Sequence, residues 1–198
     1  MNDATGTFHG ALHPAQTGPQ PLITWHRPAG PPNGMGMIIF PGGGYRALAP
    51  HEGPAYAEFY CAQGFTCFVV TYRLGSAGHR HPAMLEDAAA AVATVRQRAP
   101  EFGVRPDALA AIGSSAGGHL VALLSTQYLH YAWAAASRPD AALLCYPVIS
   151  MRVHAIPVCR AALIGETPPD GLVDSVSCER HVHPAMPPCF IWHTRDDQ

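Results

Sequence analysis

A series of short apolar runs, each closed by glycine or proline and separated from the next by a stretch with helical spacing, constrains this chain more than any other feature. Residues 35–40 form the first run and stop at Pro41-Gly42-Gly43-Gly44. Residues 65–72 form the second and are rich in β-branched and aromatic side chains, which suit a pleated surface. Further runs follow at 108–112, 141–147 and 188–193. Runs this short and this uniformly apolar are expected of strands covered on both faces, the situation of a parallel sheet. Between them, residues 54–63 carry a helical pattern closed by Gly64, and residues 82–99 place Leu85, Ala88, Ala89, Val92 and Val95 on one face behind Pro82. Residues 116–127 supply a third helical segment. Strands alternating with helices predict βαβ units in an α/β fold, a mostly parallel, doubly wound sheet with helices on both faces.

The chain has 198 residues, the length of one domain, and is 48% hydrophobic and 13% charged, which is enough apolar material to bury a core and too much for disorder. Its net charge is -2 and its twelve basic residues are scattered arginines, so the basic stripe that nucleic acid requires is missing. No apolar stretch approaches the roughly 18 residues of a membrane helix. The first residues lack the charged start and apolar core of a secretory signal. The expectation is a cytoplasmic chain with no nucleic-acid and no membrane partner. Cys61, Cys67, Cys145, Cys159, Cys178 and Cys189 show no paired spacing, so reduced and mostly buried thiols are expected. Residues 1–34, with one strand-like patch at 22–26, read as an N-terminal arm or edge hairpin before the main domain at 35–198. Residues 149–187 are rich in turn formers, with weak helical periodicity around 161–164 and 171–175, and read as a mobile, cap-like insertion over a site.

The chemistry concentrates at Ile112-Gly113-Ser114-Ser115-Ala116-Gly117-Gly118-His119, a G-x-S-x-G match between an expected strand and an expected helix. A serine at such a turn is held in a strained backbone with its hydroxyl exposed above the strand ends, and small neighbours let chain segments pass close by. Ser115 is the candidate nucleophile. The Ala116 amide opens the helix and can face a tetrahedral oxyanion. Alone, the motif also fits a small-residue turn without chemistry. Pro41-Gly42-Gly43-Gly44-Tyr45 follows the first buried strand, where this fold places the rest of its oxyanion hole, and consecutive glycines free backbone N–H groups to face a substrate oxygen. A phosphate cradle is excluded, because no Gly-Lys-Ser/Thr ending follows. The acidic pair Asp196-Asp197 comes after the serine, in the chain order Ser, then Asp or Glu, then His.

Histidines also gather at Cys178-Glu179-Arg180-His181-Val182-His183 and at His79 and His81. Their spacing matches no closed zinc site and acyl transfer needs no metal, so no metal site is expected. His51-Glu52, beside the glycine loop, fits either the rim of the substrate site or a cap on the helix that follows.

Taken together, PGGGYRALAPHEG, the YRL after the second strand, HPAMLEDAAAAV, IGSSAGGHL, LLCYPVIS, LIGE and PPCFIWHTRDD resemble the α/β-hydrolase esterases of the carbohydrate acetyl esterase and feruloyl-esterase-like type, often labelled acetyl xylan esterases. The resemblance runs from about residue 35 to the C-terminus. It implies Ser115 as nucleophile, Gly43, Gly44 and Ala116 as oxyanion donors, and Asp197 as the acidic triad member. Asp197 is taken over Asp196 because the family's carboxylate comes just before the position of Gln198. It also implies no cofactor and a small-molecule ester substrate, an acylated sugar above all, cleaved through an acyl-enzyme. Relatives with histidine at the start of the glycine loop have Pro41 here, which leaves the backbone donors intact.

Family members continue past the aspartate with a helix, a last strand and a loop bearing the catalytic histidine, whereas this sequence ends at Gln198. The expectation is an α/β-hydrolase sheet lacking its last strand and helix, a missing general base, and a chain that is nearly inert, marginally stable and prone to self-association through an open sheet edge. His119 and His193 both precede the acid, and neither fits the role of base. Two rival readings remain open: a serine peptidase of the prolyl-oligopeptidase type, and a binding module or inactive remnant of the same fold.

Overall fold

The computed structural model of the chain describes residues 4–11, 16–130 and 134–195. Seven strands, β1 (Thr5–His9), β2 (Leu22–His26), β3 (Gly36–Phe40), β4 (Thr66–Thr71), β5 (Leu109–Ser114), β6 (Ala141–Cys145) and β7 (Cys189–Trp192), form one sheet in the order β1-β2-β4-β3-β5-β6-β7. From β4 to β7 across the sheet every pairing is parallel; β1 and β2 add antiparallel pairs at the edge. The N-terminal segment is thus an edge hairpin built into the sheet and not a separate arm. The helices are α1 (Pro54–Ala62), α2 (Ala83–Arg98), α3 (Ala116–Gln127), α4 (Ala134–Ser137), α5 (Pro157–Ile164) and α6 (Asp170–Ser175).

The strands are apolar at every position because both faces are used. Ile38 and Phe40 of β3, Phe68 and Val70 of β4, and Leu109 and Ala111 of β5 point into one core with α2 and α3. Their sequence neighbours Met37, Ile39, Cys67, Val69, Ala110 and Ile112 point the other way, against α1. The alanines of α2 leave room for close approach, and Asp87 among them is fully buried because Arg73, just after β4, donates to it from its backbone N–H at 2.7 Å and from Nε at 2.9 Å. A buried charge is tolerated only when paired in this way. The order of strands reverses on either side of β3, and the carboxyl ends of β3 and β5 on either side of such a switch are where an open α/β sheet builds its site.

The insertion is more regular than its turn-rich sequence suggests. Residues 157–164 and 170–175 are regular helices, and Met151, Cys159, Leu163 and Val176 are buried in the same core as α3. Weak periodicity concealed them because each is short and buries only one narrow stripe. The open edge of the sheet is β7, whose Phe190, Ile191 and Trp192 are exposed.

Candidate active site

Ser115 lies between the last residue of β5 and the first of α3, with φ 52° and ψ -118°. Backbone of this kind in a non-glycine residue costs of order 1–3 kcal/mol and persists only where the surroundings impose it. The surroundings are specific. A Cβ on Gly113 would stand 2.2 Å from the Gly117 carbonyl oxygen, and one on Gly117 would stand 2.0 Å from that of Phe40. The Ser115 N–H donates to the Cys145 carbonyl at 3.0 Å, and the Ser115 carbonyl accepts from Val148 N–H at 3.2 Å and His119 N–H at 3.0 Å. The turn is as expected, with Ser115 lining an open cleft of about 960 Å³. Ala116 is the first residue of α3, so its N–H has no carbonyl one turn earlier to bond.

The glycine loop runs against this turn, because Phe40 pairs with Gly113 in the sheet. A Cβ on Gly42 would lie 2.5 Å from the Ser114 carbonyl oxygen and 3.1 Å from Ser115 Cβ. Gly43 has φ 119° and its carbonyl accepts from Arg46 and Ala47 N–H, which closes the turn; Gly44 follows at φ 64°. Gly42 therefore touches the nucleophile turn directly, with Gly43 and Gly44 next along the same loop and Ala116 next to the serine on the other side.

Two buried polar clusters support the site from opposite faces of the sheet. On the α3 face, the His119 ring is wedged between Tyr45 and the insertion, with Nδ1 2.6 Å from Tyr45 Oη and Nε2 2.8 Å from the Val176 carbonyl oxygen. A carbonyl can only accept, so Nε2 carries the proton and Tyr45 donates to Nδ1. Burial pushes the His119 pKa down to about 4, which keeps the ring neutral. His119 thus packs between Tyr45 and the insertion, and neither nitrogen is available as a base. On the α1 face, the Glu52 carboxylate is 6% exposed; Oε2 accepts from Gly42 N–H at 2.6 Å and Oε1 from Tyr146 Oη at 2.8 Å. Beside it, Tyr56 Oη and Ser114 Oγ are 2.9 Å apart. Sequence reasoning left Glu52 between two peripheral roles; the signal was an acidic residue eight positions past the glycine loop, just before the helix that follows it.

The cleft wall comes from the first part of the insertion, Val153, His154 and Ile156 among it, and from Tyr146, Glu179 and His193. His193, just past the end of β7, is thus part of the same cleft wall as Ser115. Asp196 and Asp197 lie outside the described residues. The histidine-rich stretch is engaged within the protein: Cys178 is buried with its thiol 3.9 Å from the His119 carbonyl oxygen, His181 Nε2 lies 2.9 Å from the Asp174 carbonyl oxygen, and the His183 ring packs on Tyr128. Among the described residues, no three His, Cys, Asp or Glu side chains are grouped to hold a metal.

Residues 33–133 match the family described as BD-FAE. The chain is 32% identical over 172 residues to endo-1,4-beta-xylanase B of Butyrivibrio fibrisolvens, covering 81% of this chain and 27% of that protein. It is 36% identical over 121 residues to an acetylxylan esterase of Xylanibacter ruminicola, covering 61% of this chain and 24% of that protein. The chain therefore spans about a quarter of the length of these curated relatives. Among solved structures, an acetyl ester-xyloside bifunctional hydrolase from Caldicellulosiruptor lactoaceticus superposes with a TM-score of 0.82 at 34% identity, over 94% of this chain and 70% of that one.

Proposed function

Because the chain belongs to the BD-FAE family, within the α/β-hydrolase esterases, we propose that it is a serine carboxylic-ester hydrolase that removes short acyl groups, acetyl first, from a carbohydrate alcohol. In this reading Ser115 Oγ attacks the ester carbonyl and the tetrahedral oxyanion is held by the N–H groups of Gly43, Gly44 and Ala116. A general base takes the Ser115 Oγ proton and gives it to the departing alcohol, then takes a proton from the water that releases the acyl group and returns it to Ser115 Oγ. Asp197 is assigned the acidic role, orienting the base. The observation that carries the reading is Ser115 at φ 52° on a cleft wall, with the glycine loop packed against it. The acetyl and sugar assignment is supported by what the relatives are: an acetylxylan esterase, an acetyl ester-xyloside hydrolase and a xylanase.

The test uses p-nitrophenyl acetate and the matching anilide, with intact-mass analysis of the protein during turnover. The expected result is slow ester cleavage that passes through a single acetyl group on Ser115 and is lost in Ser115→Ala. Equal cleavage by Ser115→Ala would overturn the assignment, and preference for the anilide would move the chain to the peptidases.

A further inference from the structure

The peptide unit between Pro41 and Gly42 is held at both ends. Its carbonyl accepts from the Tyr72 hydroxyl at 2.5 Å, and its N–H donates to Glu52 Oε2 at 2.6 Å. A peptide is a rigid plane, so these two bonds, from opposite faces of the sheet, fix its rotation about the chain. The next two peptides carry the Gly43 and Gly44 N–H groups. The Gly42 carbonyl accepts from Ala49 N–H at 2.9 Å and the Gly43 carbonyl from Arg46 and Ala47 N–H, so these peptides form one closed turn, and the direction in which that turn faces the Ser115 segment is set at its Pro41–Gly42 end.

Glu52 is suited to that task. A carboxylate accepts at both oxygens, and here the second oxygen takes the Tyr146 hydroxyl at 2.8 Å. Tyr146, itself at φ 36°, follows β6 directly after Cys145, whose carbonyl accepts the Ser115 N–H. One buried side chain thereby joins the segment after β3 to the segment after β6 across the nucleophile turn. Hydrogen bonds from an N–H or O–H to a buried carboxylate are short and about twice as strong as neutral ones, so the clamp is stiff. The same negative charge opposes an oxyanion nearby. An acid at this depth is retained where the geometry it imposes outweighs that repulsion.

We propose that Glu52 is a positioning residue for the oxyanion loop: through Gly42 N–H it orients the Gly43 and Gly44 amides, and through Tyr146 it locks that loop to the Ser115 turn. The proposal rests on the hydrolase reading for its kinetic consequence but not for its structural one, so two measurements are made. In the ¹H–¹⁵N spectrum of the intact chain, the Gly42 amide proton lies far downfield, as expected for a short bond to a carboxylate. In Glu52→Ala that shift collapses, the Gly43 and Gly44 amides move and exchange faster with solvent, and the amides of the β1–β2 hairpin stay in place. In turnover of p-nitrophenyl acetate, Glu52→Ala lowers kcat by about 10–100-fold with KM within about twofold, because the hole acts on the transition state more than on the bound ester. Glu52→Gln keeps an acceptor for Gly42 and a donor toward Tyr146 Oη, and restores most of both readouts. It also serves as the test variant, with its own smaller loss of the Gly42 shift, should Glu52→Ala fail to fold. Unmoved Gly43 and Gly44 amides in Glu52→Ala, or a loss that appears in KM alone, would overturn the proposal. If Ser115→Ala retains activity, the hydrolase reading falls while the amide measurement still decides the role of Glu52.

Discussion

On one face of the sheet α2 and α3, together with α5 and α6, bury Ile38, Phe40, Phe68 and Leu144; on the other, among the described residues, α1 covers Met37, Ile39 and Val69, while the edge strand β7 is exposed on both faces, Phe190 and Trp192 at 62% and 41% and Ile191 at 56%. The serine stands at the strand ends between these unequal layers. Its supports divide the same way. The thick face contributes a neutral imidazole, His119, fully buried in the core, and the thin face contributes a carboxylate, Glu52, beside the glycine loop. The thick layer therefore carries the folding energy, while the thin one carries the charge that orients the loop.

The largest effect that separates the two layers is expected at Gly117. An added methyl there would meet the Phe40 carbonyl oxygen at 2.0 Å and the Pro41 carbonyl carbon at 2.8 Å, both backbone, so α3 must move off the sheet. Gly117→Ala should destabilise the chain by about 4 kcal/mol or prevent folding, read from urea unfolding. A loss under about 1 kcal/mol would mean that α3 and β3 are not packed as described.

A smaller effect comes from pH. Burial holds His119 near pKa 4, below the ordinary 6.5, so between those values the unfolded chain binds a proton that the folded chain does not. Stability is then complete above pH 6.5 and falls as pH drops toward 4, by up to roughly 3 kcal/mol from this residue. His81, also lowered to about 4 by burial, adds a loss in the same direction. Urea midpoints from pH 7 to pH 4.5 should show the fall, and His119→Gln should flatten it; a wild-type slope in that variant would place the titration elsewhere.

The smallest effect is expected on the thin face. Phe190→Ala, on an edge strand and 62% exposed, should change stability by less than about 0.5 kcal/mol. A loss of 2 kcal/mol or more, the range of a filled core position, would show that β7 is covered in solution and remove the asymmetry.

The strands and the three longer helices were legible because their signals are local: an apolar run ended by glycine, or an alanine-rich stripe behind a proline. The turns at Ser115 and at Gly42-Gly43-Gly44 were legible for the same reason, since small residues at fixed offsets announce close backbone approach. α5 and α6 showed only as weak periodicity around 161–164 and 171–175, because helices of 8 and 6 residues carry little of it and take their stability from tertiary packing. Glu52 was not legible. Its partners Gly42 and Tyr146 lie 10 and 94 positions away, and only the folded sheet brings them to one carboxylate.

The nucleophile turn owes its shape to its backbone. Both main-chain groups of Ser115 are engaged, and Gly113 and Gly117 set the clearances around it, so nothing in that geometry depends on the hydroxyl. The turn is a mount with an exchangeable fitting. A thiol or a bare methyl at position 115 would be presented to the same point above the strand ends, at the same torsional cost, with the glycine loop still opposite. The scaffold and the reacting atom are thereby separable, and chemistry at this position can be altered one atom at a time without rebuilding what holds it.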